Sequence, residues 1–262
     1  PEPFQRKLSA RAPEIIHAAM QPAVRFRKQD IIDLPPVVTQ NRECLLSPEQ
    51  EKARDQFKQQ AVALLGSGEV VTAANGGVLH QKLMQVAQGF VRTNDKKVVT
   101  LDHKDRTKVI IDAIGETQRK VVIFCFYRPT IELRRAQIEK AGYTVGVVHG
   151  GVTGIARAKV LNDFQNANDP HVIICHPTTT AYGTEMAAAD TIIFDGPPPL
   201  GGFIYAQALE RLSSAKQTAS SISIIRIVGS PEEKKFYKTL DSGKEMGQFI
   251  NNLFEDYARG LL

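Results

Sequence analysis

Three polar side chains in the last quarter of the chain are spaced for chemistry. In FIYAQALERLSSAKQ, residues 203–217, Gln207, Glu210 and Arg211 stand three and four positions apart, which puts them on about one turn of a helix. A guanidinium beside a carboxamide suits phosphate recognition across a cleft, because the arginine fork presents parallel N–H donors. The same spacing also occurs on solvated helix faces that bind nothing. What surrounds the pair decides between the two.

The surrounding chain alternates between short apolar runs and amphipathic ones. From Lys97, VVTL predicts a short strand and RTKVIIDAIGE a helix ending near Gly115. VVIFCF, YTVGVVH, HVIIC, TIIF and ISIIRIV then predict five strands. The helices between them are expected over TIELRRAQIEKAG, TGIARAKVLNDFQ, a short piece at Glu185–Ala189, and the 203–217 segment itself. Val/Ile runs spaced by helices mark a parallel sheet covered on both faces, hence an α/β domain. In such sheets ligands bind beyond the carboxyl ends of the strands. That rule selects Tyr127 and Arg128, His149 with Gly150 and Gly151, His176 to Gly183, Asp195–Gly196, and the helix of Gln207. Plainer readings stand beside these: His149 as an ordinary strand-end histidine, Gly150–Gly151 as a turn, and Thr178, Thr179 and Thr180 as the cap of a helix.

Upstream, residues 1–30 are mixed and partly helical, with PEIIHAAM the most apolar piece, and Pro35–Pro36 predict an extended connector. VVTQNRECLL has strand character. Ser47, Pro48 and Gln50 supply an N-cap hydroxyl, a proline at the first helical position and a capping-box glutamine, so a helix starts there. A second helix is expected over Ala73–Ala87, with Leu79, Leu83, Met84 and Val86 as core. Ser230, Pro231 and Glu233 repeat the start signal and predict a C-terminal helix. The expected division is an N-terminal connector and helical arm over residues 1–95 and an α/β domain over residues 96–262.

The 262 residues, 42% hydrophobic and 23% charged, suffice for a full core. A net charge of +5 is compatible with a polyanionic partner. Cys44, Cys125 and Cys175 are scattered, two of them in apolar strand-like runs, and read as buried thiols in a reducing, cytoplasmic compartment. No apolar run has membrane-spanning length, and no signal-peptide pattern opens the chain. Beginning at Pro1 with no initiator Met, the chain is expected to be a piece of a longer protein. Several chemistries lack their residues. There is no G-x-x-x-x-G-K-[ST], no G-x-G-x-x-G after a strand, no Asp-Glu dipeptide ending a strand to hold magnesium, and no G-x-S-x-G. Cys175–His176 has no partners at metal-ligand spacing.

The order of the segments resembles the second motor lobe of the Swi/Snf-type branch of superfamily two helicases, of phage or bacterial type. The likeness runs across nearly the whole chain. RKQDIIDLPP is similar to the connector into that lobe, LSPEQEK to the start of its helical arm, and AANGGVLHQKLMQVAQG to the helix that follows. VVIFCFYRPTIELRRAQIEKAG resembles the fourth helicase motif, and VVHGGVTGIARAKVLNDFQ the His-Gly turn and its helix. HPTTTAYGTEMAAADTIIFDG resembles the fifth motif, YAQALERLSSAKQ the sixth, and SPEEKKFYKTL the terminal helix. The resemblance implies a RecA-like α/β fold with an N-terminal helical extension and a C-terminal helix. It implies one half of an ATP-dependent DNA helicase or translocase, a hydrolase whose P-loop lies on another lobe. ATP and magnesium are then expected in the complete two-lobed protein only, with DNA, or alternatively RNA, and an N-terminal RecA-like lobe as partners.

The resemblance also assigns residues. Arg211 falls at the first arginine of the sixth motif, reaching a γ-phosphate, with Gln207 before it and Gln217 closing the motif. Gly183, Thr184 and Glu185 fall where the fifth motif links nucleotide to nucleic acid. Tyr127, Arg128, His149, Gly150 and Thr178 to Thr180 fall near loops that contact the phosphodiester backbone, contacts that position a strand without reading its sequence. The chain departs from the pattern at three places. Ser214 stands at the second arginine, Lys216 at the glycine, and Thr184-Glu185-Met186 where an apolar-Asn-Leu text is usual. A degenerate lobe serving as a nucleic-acid or protein scaffold is therefore the alternative function. A small-molecule α/β enzyme is the third, and it lacks a nucleotide loop.

Overall fold

Successive residues of a strand point to opposite faces, and that rule sorts the core of this protein into two layers. The computed structural model describes residues 9–22, 33–66, 73–180, 184–198, 202–212 and 214–242, with Asp256 and Arg259. The chain forms two compact units, Pro1–Leu34 and Pro35–Leu262. In the first, α1 (Ala12–Ala19) realises the expected apolar helix and buries none of its side chains.

The second unit holds a six-stranded sheet in which every pairing is parallel. Its order is β1 (Val37–Glu43), β8 (Ile222–Val228), β7 (Ala189–Phe194), β4 (Lys120–Phe124), β6 (Val172–Cys175), β5 (Val145–Val148). Val122, Phe124 and Phe126 face a layer with Phe164 of α6 (Gly154–Asn166) and Tyr205, Ala208 and Leu212 in and after α8 (Gly202–Leu209). Val121, Ile123 and Cys125 face the other, with Ile110 and Ile114 of α4 (Lys104–Gly115) and Ile131 and Ile138 of α5 (Arg128–Lys140). Burying each of the Val, Ile, Leu and Phe side chains among them stabilises the fold by about 1.5–3 kcal/mol. The expected parallel sheet with helices on both faces is thus present. The five expected strands gain a sixth, β1, which pairs with β8 from Val37↔Ile222 to Glu43↔Val228.

Helix α2 (Pro48–Gly66) begins on the expected capping box. The Ser47 Oγ accepts from the Gln50 N–H at 3.2 Å, and the Ser47 N–H donates to Gln50 Oε1 at 3.0 Å. The Gln50 amide then donates to the carbonyls of Val86 (2.7 Å) and Ala87 (3.2 Å) in the last turn of α3 (Ala73–Ala87), where Val86 also accepts from the Gly89 N–H at 3.0 Å. An antiparallel hairpin follows, β2 (Phe90–Arg92) with β3 (Val98–Thr100). It enters through Gly89 at φ +92°, where a Cβ would lie 2.6 Å from the His103 side chain. Helix α9 (Pro231–Asp241) starts as expected, with the Ser230 Oγ accepting from the Glu233 N–H at 3.3 Å. The Glu233 carboxylate reaches one residue further back than a capping box requires and accepts from the Gly229 N–H at 2.6 Å.

Two expected helices are corrected. Glu185–Ala189 is a loop and turn, with β7 beginning at Ala189. Two of its amides bond across the chain, the Met186 N–H to the Arg211 carbonyl and the Ala188 N–H to the Gln165 side chain, which leaves a single turn bond, from the Ala189 N–H to the Met186 carbonyl, in place of a helical ladder. The helix expected over 203–217 stops at Leu209. There the Arg211 N–H bonds three residues back to Ala208, and the Gln217 amide instead holds the carbonyls of Leu212 and Ala189.

The layers meet at a buried charge cluster just past β7. Asp195 accepts from Arg134 Nε at 2.9 Å, and Arg106 bonds both the Asp195 carbonyl and the Glu233 carboxylate. All four side chains are essentially removed from solvent. Burial opposes the charge on Arg106, but Glu233, Cys44 and Asp195 outweigh it and push its pKa above the ordinary value. Replacing Asp195 by Asn leaves a buried guanidinium uncompensated. We expect it to lower the free energy of unfolding by about 3–5 kcal/mol, read from denaturant titration.

A second prediction concerns His80 of α3, stacked on Phe236 of α9 at 5.3 Å between ring centroids. Burial depresses its pKa to about 4, against a smaller upward pull from Glu232. Between that value and the unfolded value of about 6.5 the unfolded chain binds more protons, so acid destabilises the fold through this window. Relative to His80→Leu, the wild type should lose stability as pH falls from about 6.5 to 4. The total is about 3 kcal/mol by linkage, and a parallel pH dependence of the two proteins would refute it.

Candidate functional site

The strand ends selected from the sequence fall side by side, because β4, β6 and β5 are neighbours. His176, directly after β6, ties the three together. Its backbone N–H donates to the Val148 carbonyl at 2.9 Å, closing onto β5. Its ring Nε2 lies 3.1 Å from the Phe126 carbonyl, beyond β4. A carbonyl only accepts, so Nε2 carries the proton and Nδ1 accepts from the Thr178 hydroxyl at 2.7 Å. Burial lowers the His176 pKa against an upward pull from the Phe126 carbonyl, and nearby His149 lowers it further, which favours the neutral ring. The sequence put His176 in a candidate loop but gave no sign of this bridging role, which arises from strand order alone.

The threonines form one turn, α7 (Pro177–Thr180). Thr179 donates to the His176 carbonyl at 2.7 Å and Thr180 to the Pro177 carbonyl at 3.3 Å, so both hydroxyl protons are committed within the turn. Thr178 is exposed and Thr180 buried. His149 Nδ1 accepts from the Gly151 N–H at 2.9 Å, while its Nε2 lies 3.5 Å from Glu132. Gly150 is exposed at the tip of that turn. Tyr127 turns inward: its ring meets Phe90 edge-on at 5.5 Å and its hydroxyl is buried, which pushes its pKa up. Arg128 opens α5, is exposed, and has no ion-pair partner among the described residues. The loops therefore present one open guanidinium, an exposed threonine whose hydroxyl proton is held by His176, and a glycine turn on a braced base.

On the other side of β4, past β7, lies the Gln207–Arg211 pair. Arg211 is half-buried and folds back on its own helix. Its Nε donates to the Gln207 carbonyl at 2.9 Å, Nη2 meets the Gln207 side-chain oxygen at 3.4 Å, and Nη1 meets the Thr184 carbonyl at 3.4 Å. A cation on the last carbonyls of a helix is favourably placed. Gln207, Arg211 and Thr184 are thus brought together, whereas Gly183 lies outside the described residues. Glu185 points to the loop after α8, where it accepts from the Ser214 hydroxyl and pairs with Lys216 at 2.8 Å. Lys216 first, then Ser214, hold its pKa below the ordinary carboxylate value. The three departures noted in the sequence are in mutual contact. No pattern in the sequence announces that, since Glu185 and Lys216 are 31 residues apart.

Helix α8 is fixed from beneath by Arg226 of β8. Its Nε donates to the Tyr205 hydroxyl at 2.7 Å, and its other nitrogens grip both oxygens of Asp241 at 2.9 and 2.7 Å. The guanidinium also lies over the rings of Tyr205 and Tyr237, 5.2 and 5.1 Å from their centroids. Among the described residues no group of three His, Cys, Asp or Glu side chains is placed to hold a metal ion.

Residues 105–216 match the family described as helicase conserved C-terminal domain. A search of curated proteins finds no match. Among solved structures the chain is similar to the C-terminal part of the Fun30 ATPase domain, at 16% identity and a TM-score of 0.68, covering 87% of this chain and 99% of that one. It is similar to the Sulfolobus solfataricus SWI2/SNF2 ATPase core in complex with dsDNA, at 19% identity and a TM-score of 0.60. That match covers 94% of this chain and 53% of the other, so this chain spans about half its length. The Sulfolobus solfataricus SWI2/SNF2 ATPase C-terminal domain matches at 16% identity and a TM-score of 0.57, over 81% of this chain and 89% of that one. The fold is the RecA-like one of helicase C-terminal domains.

The clamp on the 184–186 loop makes a local prediction. Removing the Glu185 carboxylate releases both Ser214 and Lys216 and loosens the neighbouring Met186 N–H···O=C Arg211 bond. In Glu185→Ala the Met186 amide should exchange hydrogen faster while core amides of β4 keep their protection. Unchanged exchange at Met186 would show that the loop holds without the clamp.

Proposed function

We propose that this chain is the second motor lobe of an ATP-dependent DNA translocase or helicase, related to the Swi/Snf-type branch. The observation that carries the reading is Arg211. Its guanidinium is held by the Gln207 carbonyl and side chain and by the Thr184 carbonyl, beside the loops of the neighbouring strand ends. It is poised on neutral acceptors and not locked to a carboxylate. A phosphate arriving across a lobe interface is a stronger, charge-assisted acceptor than those carbonyls, so lobe closure would draw the guanidinium away from them and onto the γ-phosphate. Gln207 would then be released to the same site. Lys216, charged and exposed on the adjacent loop, would add a second cation in place of the absent arginine, as a point charge without a fork.

The chain's own residues fit one side of a nucleoside triphosphate and no more. Arg211, Gln207 and Lys216 offer donors to phosphate, and no carboxylate group is assembled for magnesium among the described residues. The metal, the phosphate cradle and the attacking water would belong to the other lobe, where magnesium would neutralise phosphate charge. The isolated chain should therefore not hydrolyse ATP. On the nucleic-acid side, Arg128, Thr178 and the Gly150 turn would meet the phosphodiester backbone, with His176 and His149 holding those loops in place. DNA is the favoured strand and RNA the alternative. The phage or bacterial character and a cytoplasmic location belong to the same proposal.

The second reading, a scaffold that has lost catalysis, is favoured by one observation: Ser214, at the second arginine position, spends its hydroxyl on Glu185. One experiment separates the two. In the two-lobed protein, Arg211→Ala should lower nucleic-acid-stimulated ATP hydrolysis by about 10³-fold or more, the range for an arginine finger. Little change would refute the finger role. Because Glu185 would pair with an arginine at 214, the restoring variant is Ser214→Arg combined with Glu185→Asn in the same protein: it should raise the rate if the motor is weakened, and leave it untouched if the lobe is a scaffold.

A further inference from the structure

The hairpin β2–β3 and helix α5 enclose a groove that no motif of the sequence explains. In the hairpin register Phe90 pairs with Thr100 and Arg92 with Val98, so these four side chains share the face turned to α5. Phe90 is buried against Tyr127 at the start of α5 and anchors that face. Beyond it opens a groove of about 480 Å³, lined by Arg92, Val98 and Thr100 on one bank and by Arg128, Glu132 and Leu133 on the other. Pro129 and Ala136 complete an apolar floor. Val98 is 44% exposed, a β-branched side chain left half in water.

The charge of the groove is uneven. Each bank carries an arginine, Arg92 and Arg128, and neither has an ion-pair partner among the described residues. The one acid in the lining is Glu132, which faces His149 at 3.5 Å. Lys96 and Lys97 crown the hairpin turn, Lys97 with Asp95 at 3.0 Å. The hairpin bank is held in place by the Arg92 N–H donating to Gln85 of α3 at 3.0 Å, by Lys82 bonding the Arg92 carbonyl, and by the Leu101 N–H on the Gly89 carbonyl at 2.9 Å. At its Arg128 end the groove runs into the His149–Gly151 turn, for the Arg128 Nη2 lies only 3.3 Å from where a Cβ on Gly151 would stand.

We propose that this groove is a binding site for a nucleic-acid strand, entered from the loops at the ends of β4 and β5. Arg92 and Arg128 take successive phosphates from opposite banks, and the Val98, Pro129, Leu133 and Ala136 surface seats sugar and base faces. Opposed unpaired guanidiniums suit an anion repeated along a chain. An apolar floor without donors or acceptors suits a ligand whose charge lies on its edge and whose body is flat and apolar. Recognition is by backbone and shape, so it carries no sequence preference. The inference rests on the reading of the strand-end loops as a nucleic-acid surface and extends that surface by one groove.

The test uses the full chain and fluorescently labelled mixed-sequence single-stranded and duplex DNA, titrated across a salt series. Wild-type binding should weaken steeply with salt. Arg92→Ala should weaken it several-fold on every sequence and reduce the slope of log K against log salt by about one, the signature of one lost phosphate contact. Ala136→Glu, an exposed change that adds a negative charge to the floor, should weaken binding as well and guards against an effect of hairpin disorder. If the wild type binds and both variants bind equally well with unchanged slope, the groove is not on the strand's path, and the strand-end surface stands without it. Absence of any salt-sensitive binding by the wild type would overturn the surface and the groove together. A glutamate-rich peptide that binds the wild type and is lost in Arg92→Ala, with DNA binding unaltered, would overturn the proposal in favour of an acidic protein segment.

Discussion

Two guanidiniums and two carboxylates, Arg106, Arg134, Asp195 and Glu233, meet in the interior and tie α4, α5, the end of β7 and the start of α9 together. Taking such ions out of water costs several kcal/mol each, and only close, fully matched geometry offsets it. The four come from α4, α5, the residue after β7 and the first turn of α9. None of these elements can shift without leaving a buried charge unmatched. Gly196 follows Asp195 with no space for a side chain, since a Cβ there would stand 2.4 Å from the Gln88 amide. The end of β7 is thereby fixed against α5, whose first residue is Arg128. Precision at the strand ends is inherited from the cluster below them.

A parallel sheet and its covering helices were legible because their signals are local. Val/Ile runs, capping serines and first-turn prolines each act within a few residues, and Ser47–Gln50 and Ser230–Glu233 fold as their spacing requires. Position at the carboxyl ends of strands was legible for the same reason. What escaped was anything settled by tertiary contact. The Glu185–Ala189 segment contains good helix formers, yet the Met186 and Ala188 amides are claimed by Arg211 and Gln165 from elsewhere in the chain. The 203–217 stretch has helical spacing throughout, but Gln217 binds β7's first carbonyl instead of continuing a ladder. Tyr127 stands at the edge where a ligand contact was expected, while its ring turns inward onto Phe90 and its hydroxyl is buried.

The departures from the helicase pattern gain a physical sense from their contacts. A carboxylate at 185 beside an arginine at 214 would form a strong pair and hold that arginine away from phosphate. With serine there, Glu185 is instead shared between a hydroxyl and the Lys216 ammonium, both at the surface, where an ion pair contributes little and exchanges readily with water. Changes at the three positions are therefore one change, and no one of them can be weighed alone. Arg211 is untouched by this exchange, its acceptors being carbonyl and amide oxygens only.

The pairing of β1 with β8 carries a kinetic consequence. Among the described residues the first strand of the sheet finds its one partner in the last, and the Arg54–Glu232 bond that reinforces the same junction joins residues 178 apart. During synthesis α2 can dock on α3 as soon as that helix follows, whereas β1 emerges with its sheet neighbour β8 still to be made, so its backbone edge stays unpaired until then. Contacts this distant in sequence slow the final step of folding, because a long loop must close before they form. The sheet is thus completed from its middle outward, and its edge, seemingly the simplest part, is the last to exist.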